Sequence, residues 1–367
     1  MRPHRAWIMA AGLALALLPR GAQIAAAPET TPAARATAEH EAKFLSKTYI
    51  VDRKYKSMLG PQSTQVIHLT DSPSPELLWV TGFKAVMVGP DGETPASQEF
   101  MCHSNLDLNM GLHRRLFDIT RESPNRMFTL SQGQQEIRFP DGFGVPILSS
   151  EPFMLTTQVL NHNIEGQTFE IRHKVTVDFV KDKDLKAPMK PLFQVSANGL
   201  VLIEGKDGHF NIPPDDDKAH GPGCLPGTGA NDKSRVFTDD FGRKFAGHWL
   251  VKPGREVNHT NTTKFMRLPY DTTLHYIAVH MHPFAESLEL RDLTTDKSLY
   301  LSKIEPSRGK IGIEHVDHFA SAEGIPLFKD HEYELVSVYN NTTSVDQDSM
   351  AVMYMYVLDK EYRPPHL

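Results

Sequence analysis

The chain has 367 residues, of which 40% are hydrophobic and 23% are charged, and its formal net charge is −6. This length suits two domains of ordinary size, and the composition is typical of a folded globular protein. The acidic balance disfavours nucleic acid and anionic membrane surfaces as partners. Only two cysteines are present, Cys102 and Cys224, so a disulfide-rich scaffold is excluded, although these two could pair in an oxidising compartment.

The first 27 residues have the features of a secretory signal peptide. Arg2 and Arg5 precede a short apolar stretch at 7–18, and the alanines at 25–27 offer a small-residue cleavage site. The stretch is too short for a transmembrane helix, and an uncleaved membrane anchor is the alternative. We therefore expect a secreted or periplasmic protein that has no membrane contact after cleavage.

Short apolar runs separated by Gly, Pro, Asn and Asp clusters predict an all-β fold. They cover residues 77–88, 153–159, 169–180, 192–203, 275–290, 332–339 and 350–358. Many runs of this length with turn signals between them are typical of sandwiches and barrels. A charged stretch with two prolines at 181–191 cannot continue a strand ladder, which favours a boundary there.

We predict two jelly-roll-like β-sandwich domains in tandem, an N-terminal one at 46–186 and a C-terminal one at 187–367. Residues 28–45 follow the signal peptide and are rich in Ala, Pro and Thr, so we expect a flexible leader there. A possible helical segment lies near 39–46, and no other stretch shows a long helical period.

The most informative motif is the His-x-His pair His280 and His282, which lies in a strand-like run. Side chains alternate along a strand, so both imidazoles are expected on one face. A methionine-rich run follows at 350–356, and sulfur beside two imidazoles selects copper, Cu(I) in particular. Asp271 and His275 precede the pair and could accept hydrogen bonds from the ring nitrogens. The alternative is that the histidines are structural and the methionines belong to the core.

This arrangement resembles the copper type II, ascorbate-dependent monooxygenases, which include peptidylglycine α-hydroxylating monooxygenase and dopamine β-monooxygenase. In that family a His-x-His strand and a methionine from a later strand hold the catalytic copper. The resemblance places these ligands at His280, His282 and Met350, and residues 343–354 are similar to the family's segment around the methionine. Tyr354 stands where the family keeps a tyrosine, so the resemblance makes it the candidate catalytic residue, a possible donor to the substrate.

The family also binds a second copper in its first domain, and there this chain departs from the pattern. Residues 100–106 are similar to the family's double-histidine segment but keep only His103, and the third histidine is displaced by two positions to His162. The second site is therefore lost, or it is rebuilt from His103, His162 and the thiolate of Cys102. Neighbours on a strand face opposite ways, so Cys102 and His103 could share a metal only through a bulge or a strand end. Otherwise the two histidines are ordinary polar residues, and Cys102 is a buried hydrophobe or pairs with Cys224.

The resemblance implies a copper-dependent monooxygenase-like oxidoreductase that activates oxygen to hydroxylate a small substrate. It implies oxygen and a small molecule as partners and a reductant such as ascorbate as external electron donor. Ala278 and Val352 stand where peptide-hydroxylating members hold a substrate carboxylate with arginine and asparagine, which disfavours a glycine-extended peptide. Two alternatives stay open: a non-catalytic copper-binding or copper-handling protein, and a β-sandwich interaction module.

Overall fold

Strands make up 55% of the structure and helices 6%, so the prediction of an all-β fold is confirmed. The structure is a computed structural model that describes residues 39–202, 236–239 and 241–365. The predicted signal peptide, most of the predicted leader and Cys224 lie outside the described residues, so the predictions of export and of a Cys102–Cys224 pair stay predictions. Within the described ranges, no helix has the length and apolar character needed to cross a membrane.

The N-terminal half contains eleven strands and short helical turns. The strands are β1 (His40–Leu45), β2 (Tyr49–Val51), β3 (Gln62–Ile67), β4 (Leu77–Val88), β5 (Met101–Leu108), β6 (Arg126–Ser131), β7 (Glu136–Arg138), β8 (Phe143–Leu148), β9 (Phe153–Val159), β10 (Phe169–Lys181) and β11 (Lys190–Asn198). The helices are α1 (Met110–Leu116) and two 3-10 turns, Gln98–Phe100 and Asp182–Asp184. The predicted runs at 77–88 and 153–159 coincide with β4 and β9.

The rest of the described chain adds thirteen strands and one short helix. These are β12 (Val201–Leu202), β13 (Val236–Thr238), β14 (Lys244–Ala246), β15 (Trp249–Val251), β16 (Gly254–Asn261), α2 (Thr263–Met266), β17 (Thr272–Met281), β18 (Ala285–Asp292), β19 (Lys297–Pro306), β20 (Ile313–Val316), β21 (Phe319–Leu327), β22 (Tyr333–Asn341), β23 (Gln347–Ser349) and β24 (Ala351–Leu358).

The described strands form one large sheet and four smaller ones. The ten-stranded sheet has the order β1-β10-β4-β8-β11-β24-β17-β21, with β2 also paired to β10 and β7 to β4. The smaller sheets have the orders β3-β9-β5-β6, β16-β22-β18-β19-β20, β12-β14-β13 and β15-β23. Most pairings are antiparallel, whereas β8 and β11 run parallel.

Two cores lie on opposite faces of the β17–β24 ladder, because side chains on a strand alternate between faces. The first core joins buried residues of β4, β8 and β10 to those of β5, β6 and β9, and Phe83 stacks on Phe128 in it at 5.2 Å between ring centroids. The second core joins β17 and β24 to β18 and β22. Along β24, Tyr354 belongs to the first core and its neighbour Met353 to the second.

Several local predictions are corrected by these elements. The segment near 39–46 is a strand, not a helix or a flexible leader, because β1 pairs antiparallel with β10 over its whole length. The predicted single run at 275–290 is two strands, because the chain turns after β17 and Phe284 adopts a φ of 72° before β18. This turn redirects the chain at a point where the apolar alternation of the sequence indicated one continuous strand.

The stretch at 181–191 contains a 3-10 turn, and the chain then enters β11. Pro191 lies in the parallel pairing with β8, opposite Gly144, at the first positions of the strand, where its missing N–H is tolerated. The large sheet therefore continues across the proposed boundary at 186–187. The division into two tandem domains stays a prediction.

Candidate metal centre

The β17–β24 ladder places His280 and His282 on the face of the first core. His280 lies opposite Val352 in the antiparallel register, and Val352 belongs to that core. Continuing the register by one step places His282 opposite Met350, which is also a first-core residue. The two imidazole rings are 5.4 Å apart between centroids and nearly perpendicular, at 87°.

A buried tyrosine ties the end of β17 to the start of β24. The Tyr339 hydroxyl accepts a hydrogen bond from the His282 backbone N–H at 3.2 Å and one from the Met350 N–H at 3.3 Å. It donates to the Met350 carbonyl at 2.5 Å. Burial raises the pKa of Tyr339 above its ordinary value, so the hydroxyl keeps its proton and remains a donor.

Two residues that the sequence reasoning missed, His248 and Asp348, complete a cluster with His282. His248 immediately precedes β15, and Asp348 lies in β23, which pairs with β15. The Asp348 Oδ2 atom is 2.8 Å from His282 Nδ1 and 3.6 Å from His248 Nε2. Each of the three residues offers one ligand atom, and these atoms lie within 4.8 Å of one another. His248 and His282 are both buried.

Asp348 and His282 form a short ion-pair contact, with 2.8 Å between Oδ2 and Nδ1. Ligands about 2.1 Å from one ion lie about 3.0 Å apart at a right angle and about 3.4 Å apart at a tetrahedral angle. The observed contacts of 2.8 and 3.6 Å are close to these separations. The three side chains therefore fit a shared metal ion.

Electrostatics keeps Asp348 ionised at this site. Burial by itself would raise the pKa of the carboxyl group, but the imidazoles of His282 and His248 hold it well below its ordinary value. Burial, together with His282 and His103, holds the pKa of His280 well below its ordinary value. The carboxylate form is the one in which Asp348 can bind a metal ion.

Two residues predicted for the first-domain site, His103 and His162, lie near this cluster. His103 on β5 is 2% exposed, and it interacts electrostatically with His282. His162, just beyond β9, is affected by the charges of Asp348 and His282, and its Nε2 lies 3.4 Å from the Ser57 hydroxyl. Burial lowers the pKa of His103 to about 3 and that of His162 to about 4.

Strand β5 contains the bulge that Cys102 and His103 would need in order to bind one metal ion together. The register of β5 against β9 shifts between Met101 and His103, which leaves Cys102 as the extra residue. Cys102 is buried, and burial raises the pKa of its thiol to about 12, with Asp348 adding to the shift. Burial favours the protonated thiol in the metal-free protein, and the site rebuilt from Cys102, His103 and His162 stays a prediction.

Other predicted site residues are placed differently. Tyr354 is 1% exposed and packs in the first core, which gives a substrate no path to its hydroxyl in this conformation, and its catalytic role stays a prediction. His275 bonds to the Thr273 hydroxyl and the Ser321 carbonyl, and Asp271 accepts the Lys329 N–H. The expectation that Asp271 and His275 support the His-x-His pair is therefore wrong, because both are engaged elsewhere.

Asp348 and His248 carried little signal in the sequence. Asp348 stands two positions before Met350, inside the segment that resembles the monooxygenases. Residues two apart on a strand share a face, and this spacing was the only indication in the sequence that Asp348 belongs to the site. His248 is isolated from other histidines along the chain, and only the pairing of β15 with β23 brings it to the site.

Comparison with known proteins gives structural matches of low similarity. No family model and no curated protein matches the chain. A crystal structure of PBCV-1 VP54, fitted into a cryo-EM reconstruction of the virophage Sputnik, is 9% identical with a TM-score of 0.32 and covers 91% of this chain and 98% of that chain. The STIV MCP is 8% identical with a TM-score of 0.28 and covers 86% and 97%. The atomic structure of Sulfolobus Turreted Icosahedral Virus is 8% identical with a TM-score of 0.27 and covers 87% and 90%.

The predicted activity of a copper-dependent monooxygenase is corrected. The three solved structures named above are viral jelly-roll capsid proteins and not oxygenases, and at these TM-scores they assign no role of their own to this chain. The site also differs from a soft His/His/Met centre, because the hard carboxylate of Asp348 lies against His282. The small substrate, oxygen and ascorbate-type donor remain expectations of the resemblance alone.

Proposed function

We propose that this protein is a non-catalytic β-sandwich protein that binds one divalent copper ion through His248, His282 and Asp348. The observation that carries this proposal is the cluster in which Asp348 Oδ2 lies 2.8 Å from His282 Nδ1 and 3.6 Å from His248 Nε2, with the three ligand atoms within 4.8 Å of one another. Two imidazoles and one carboxylate are good ligands for divalent first-row transition metals, and Cu²⁺ is the most strongly bound of these in the Irving–Williams order. Mg²⁺ and Ca²⁺ prefer sites built from oxygen alone.

Burial of the ligands supports a binding role without turnover. His248 and His282 are 7% and 4% exposed, and Asp348 is 13% exposed in its side chain. A catalytic metal needs an open position for its substrate, whereas a structural or storage site is closed. The ordered strands β15, β17 and β23 preorganise the three ligands, so metal binding stabilises the folded chain.

The proposal is tested by copper stoichiometry and affinity on the purified full-length chain. We expect one Cu²⁺ per chain by elemental analysis, with an electron paramagnetic resonance spectrum that shows nitrogen coupling. Asp348→Asn removes the charged ligand and should weaken Cu²⁺ binding at least about 100-fold in a competition titration. The matched control is Asp346→Asn, two residues away in the chain and outside the cluster, which should bind as the unmodified protein does.

A substitution at Met350 separates this site from the His280, His282 and Met350 set. Met350→Leu keeps the apolar volume and removes the sulfur, so it should leave Cu²⁺ binding nearly unchanged, whereas weakened Cu(I) binding would favour the His280, His282 and Met350 set. Equal Cu²⁺ affinity in the unmodified and Asp348→Asn proteins would overturn the proposed site. A chain that binds no copper would instead support the interaction-module alternative.

A further inference from the structure

A small cavity whose lining includes none of the proposed copper ligands has the size of an ion site. It lies between the segment that joins α1 to β6, strand β11 and the residues at the end of β24, and it encloses about 40 Å³. A buried water molecule needs about 10–15 Å³ of such space, so the cavity has room for about three waters or for one monatomic ion. Organic ligands of ordinary size are too large for it.

Four side chains of the lining carry buried polar atoms that make no hydrogen bond within the described part of the chain. These atoms are the Nε of Arg121, the hydroxyl oxygens of Ser123 and Tyr362, and both amide atoms of Gln194. Gln194 as a whole is only 7% exposed. A buried polar group without a partner costs free energy, so such a set around one cavity indicates an occupant that the polypeptide does not supply.

These unpartnered groups are mainly hydrogen-bond donors. The guanidinium of Arg121 and the NH₂ group of Gln194 can only donate, and the hydroxyls of Ser123 and Tyr362 can donate as well as accept. A small anion accepts hydrogen bonds from all sides, whereas a water molecule must also find acceptors for its own two hydrogens. Hydrogen bonds in which one partner is charged are about twice as strong as neutral ones, so this set of donors favours an anion over water.

The balance of charges around the cavity is also positive. Its lining contains one carboxylate and three guanidinium groups, those of Asp359, Arg121, Arg126 and Arg363. Asp359 is engaged in a two-point ion pair with Arg121, at 2.7 and 3.2 Å, and Asp107 pairs with Arg126 from outside the lining. Arg363 has only a loose contact with the exposed Asp118, at 3.9 Å, and an exposed pair of this kind is weak. Arg363 is therefore the excess positive charge of the lining.

We propose that this cavity binds one chloride ion, which is only slightly larger than a water molecule. The four unpartnered side chains donate to the ion, and Arg121 does so as a charged donor. The ion ties the segment between α1 and β6 to β11 and to the residues after β24, so its binding stabilises the folded chain. The site goes beyond the proposed copper binding and does not depend on it.

The test is the chloride dependence of stability, measured on the purified full-length chain with EDTA present so that chloride cannot act through copper. Urea unfolding in sodium chloride is compared with unfolding in sodium gluconate at the same ionic strength, because gluconate is too large for the cavity. For a dissociation constant of about 10 mM, about 0.1 M chloride should lower the unfolding equilibrium constant about tenfold. Equal stability in the two salts would mean that the cavity holds water only, and the proposal would fail.

Two variants assign the effect to the cavity, because general effects of the salts on hydration act on every variant alike. Gln194→Leu removes the amide, and a tenfold weaker ion would reduce the chloride effect from about tenfold to about twofold. Ser123→Ala is a milder second variant and should also reduce the effect. The matched control is Gln65→Leu on β3, outside the lining, whose amide donates to the Leu45 carbonyl at 3.3 Å, and it should keep the full chloride effect. An undiminished effect in both cavity variants would place the ion elsewhere and overturn the assignment.

Discussion

Burial sets the protonation state of the histidines at the residue scale. His103, His173 and His280 are all nearly inaccessible, and burial is the first cause of the low pKa of each. A charged imidazole loses its hydration in such surroundings, so the neutral form is favoured. Neutral imidazoles in a rigid sheet are available as ligands at neutral pH without first losing a proton.

His173 provides a test of this effect away from the copper ligands. Burial lowers its pKa to about 3 from an ordinary value of 6.5, and its Nδ1 lies 2.8 Å from the Ser104 hydroxyl. Between these two pH values the unfolded chain binds a proton that the folded chain does not. The free energy of unfolding should therefore fall as the pH drops from 6.5 towards 3.

His173→Asn removes the titrating group, so urea unfolding curves across this pH range should show a shallower acid dependence. His68→Gln is the control, since His68 is an exposed side chain directly after β3, and its profile should match that of the unmodified protein. A slope in His173→Asn that equals the unmodified slope would contradict the assignment to His173.

At the element scale, the metal ligands depend on the alignment of three short β-segments. His282 follows β17, Asp348 lies in β23, and His248 precedes β15. The Tyr339 hydroxyl on β22 holds the end of β17 and the start of β24 together through backbone hydrogen bonds. Loss of that hydroxyl leaves a buried carbonyl and buried N–H groups without their partner.

Tyr339→Phe should therefore lower the free energy of unfolding by about 1–3 kcal/mol. It should also weaken Cu²⁺ binding severalfold, because His282 loses its backbone anchor. The matched control is Tyr333→Phe on the same strand, whose hydroxyl donates to the Phe328 carbonyl at 2.9 Å, away from the cluster. Chemical unfolding and a copper titration measure both effects, and equal copper affinity in Tyr339→Phe and Tyr333→Phe would refute the anchoring role.

At the scale of the whole molecule, the two cores share one ladder. Strands β17 and β24 present alternate side chains to the first and the second core, and the large sheet joins them to β8 through β11. Neither core can lose its packing without disturbing strands that the other core uses. We therefore expect the described chain to unfold as one cooperative unit.

Leu106→Ala and Leu288→Ala test this coupling, one from each core. Both leucines are fully buried, Leu106 in the first core and Leu288 in the second. Each substitution should destabilise the protein by about 2–5 kcal/mol and shift the same calorimetric transition. Two transitions, each shifted by only one variant, would show that the cores unfold independently and would favour the two-domain prediction.

The sequence by itself determined the bounds of two strands and the face of the histidine pair. Apolar alternation located β4 and β9 at their observed bounds, and the period of two placed His280 and His282 together, because both depend only on neighbouring residues. The tertiary structure alone decided that Asp348 and His248 meet His282, since strand pairing and register between distant segments bring them there. Burial of Cys102 as a protonated thiol was likewise a tertiary outcome, because desolvation depends on what packs around a residue.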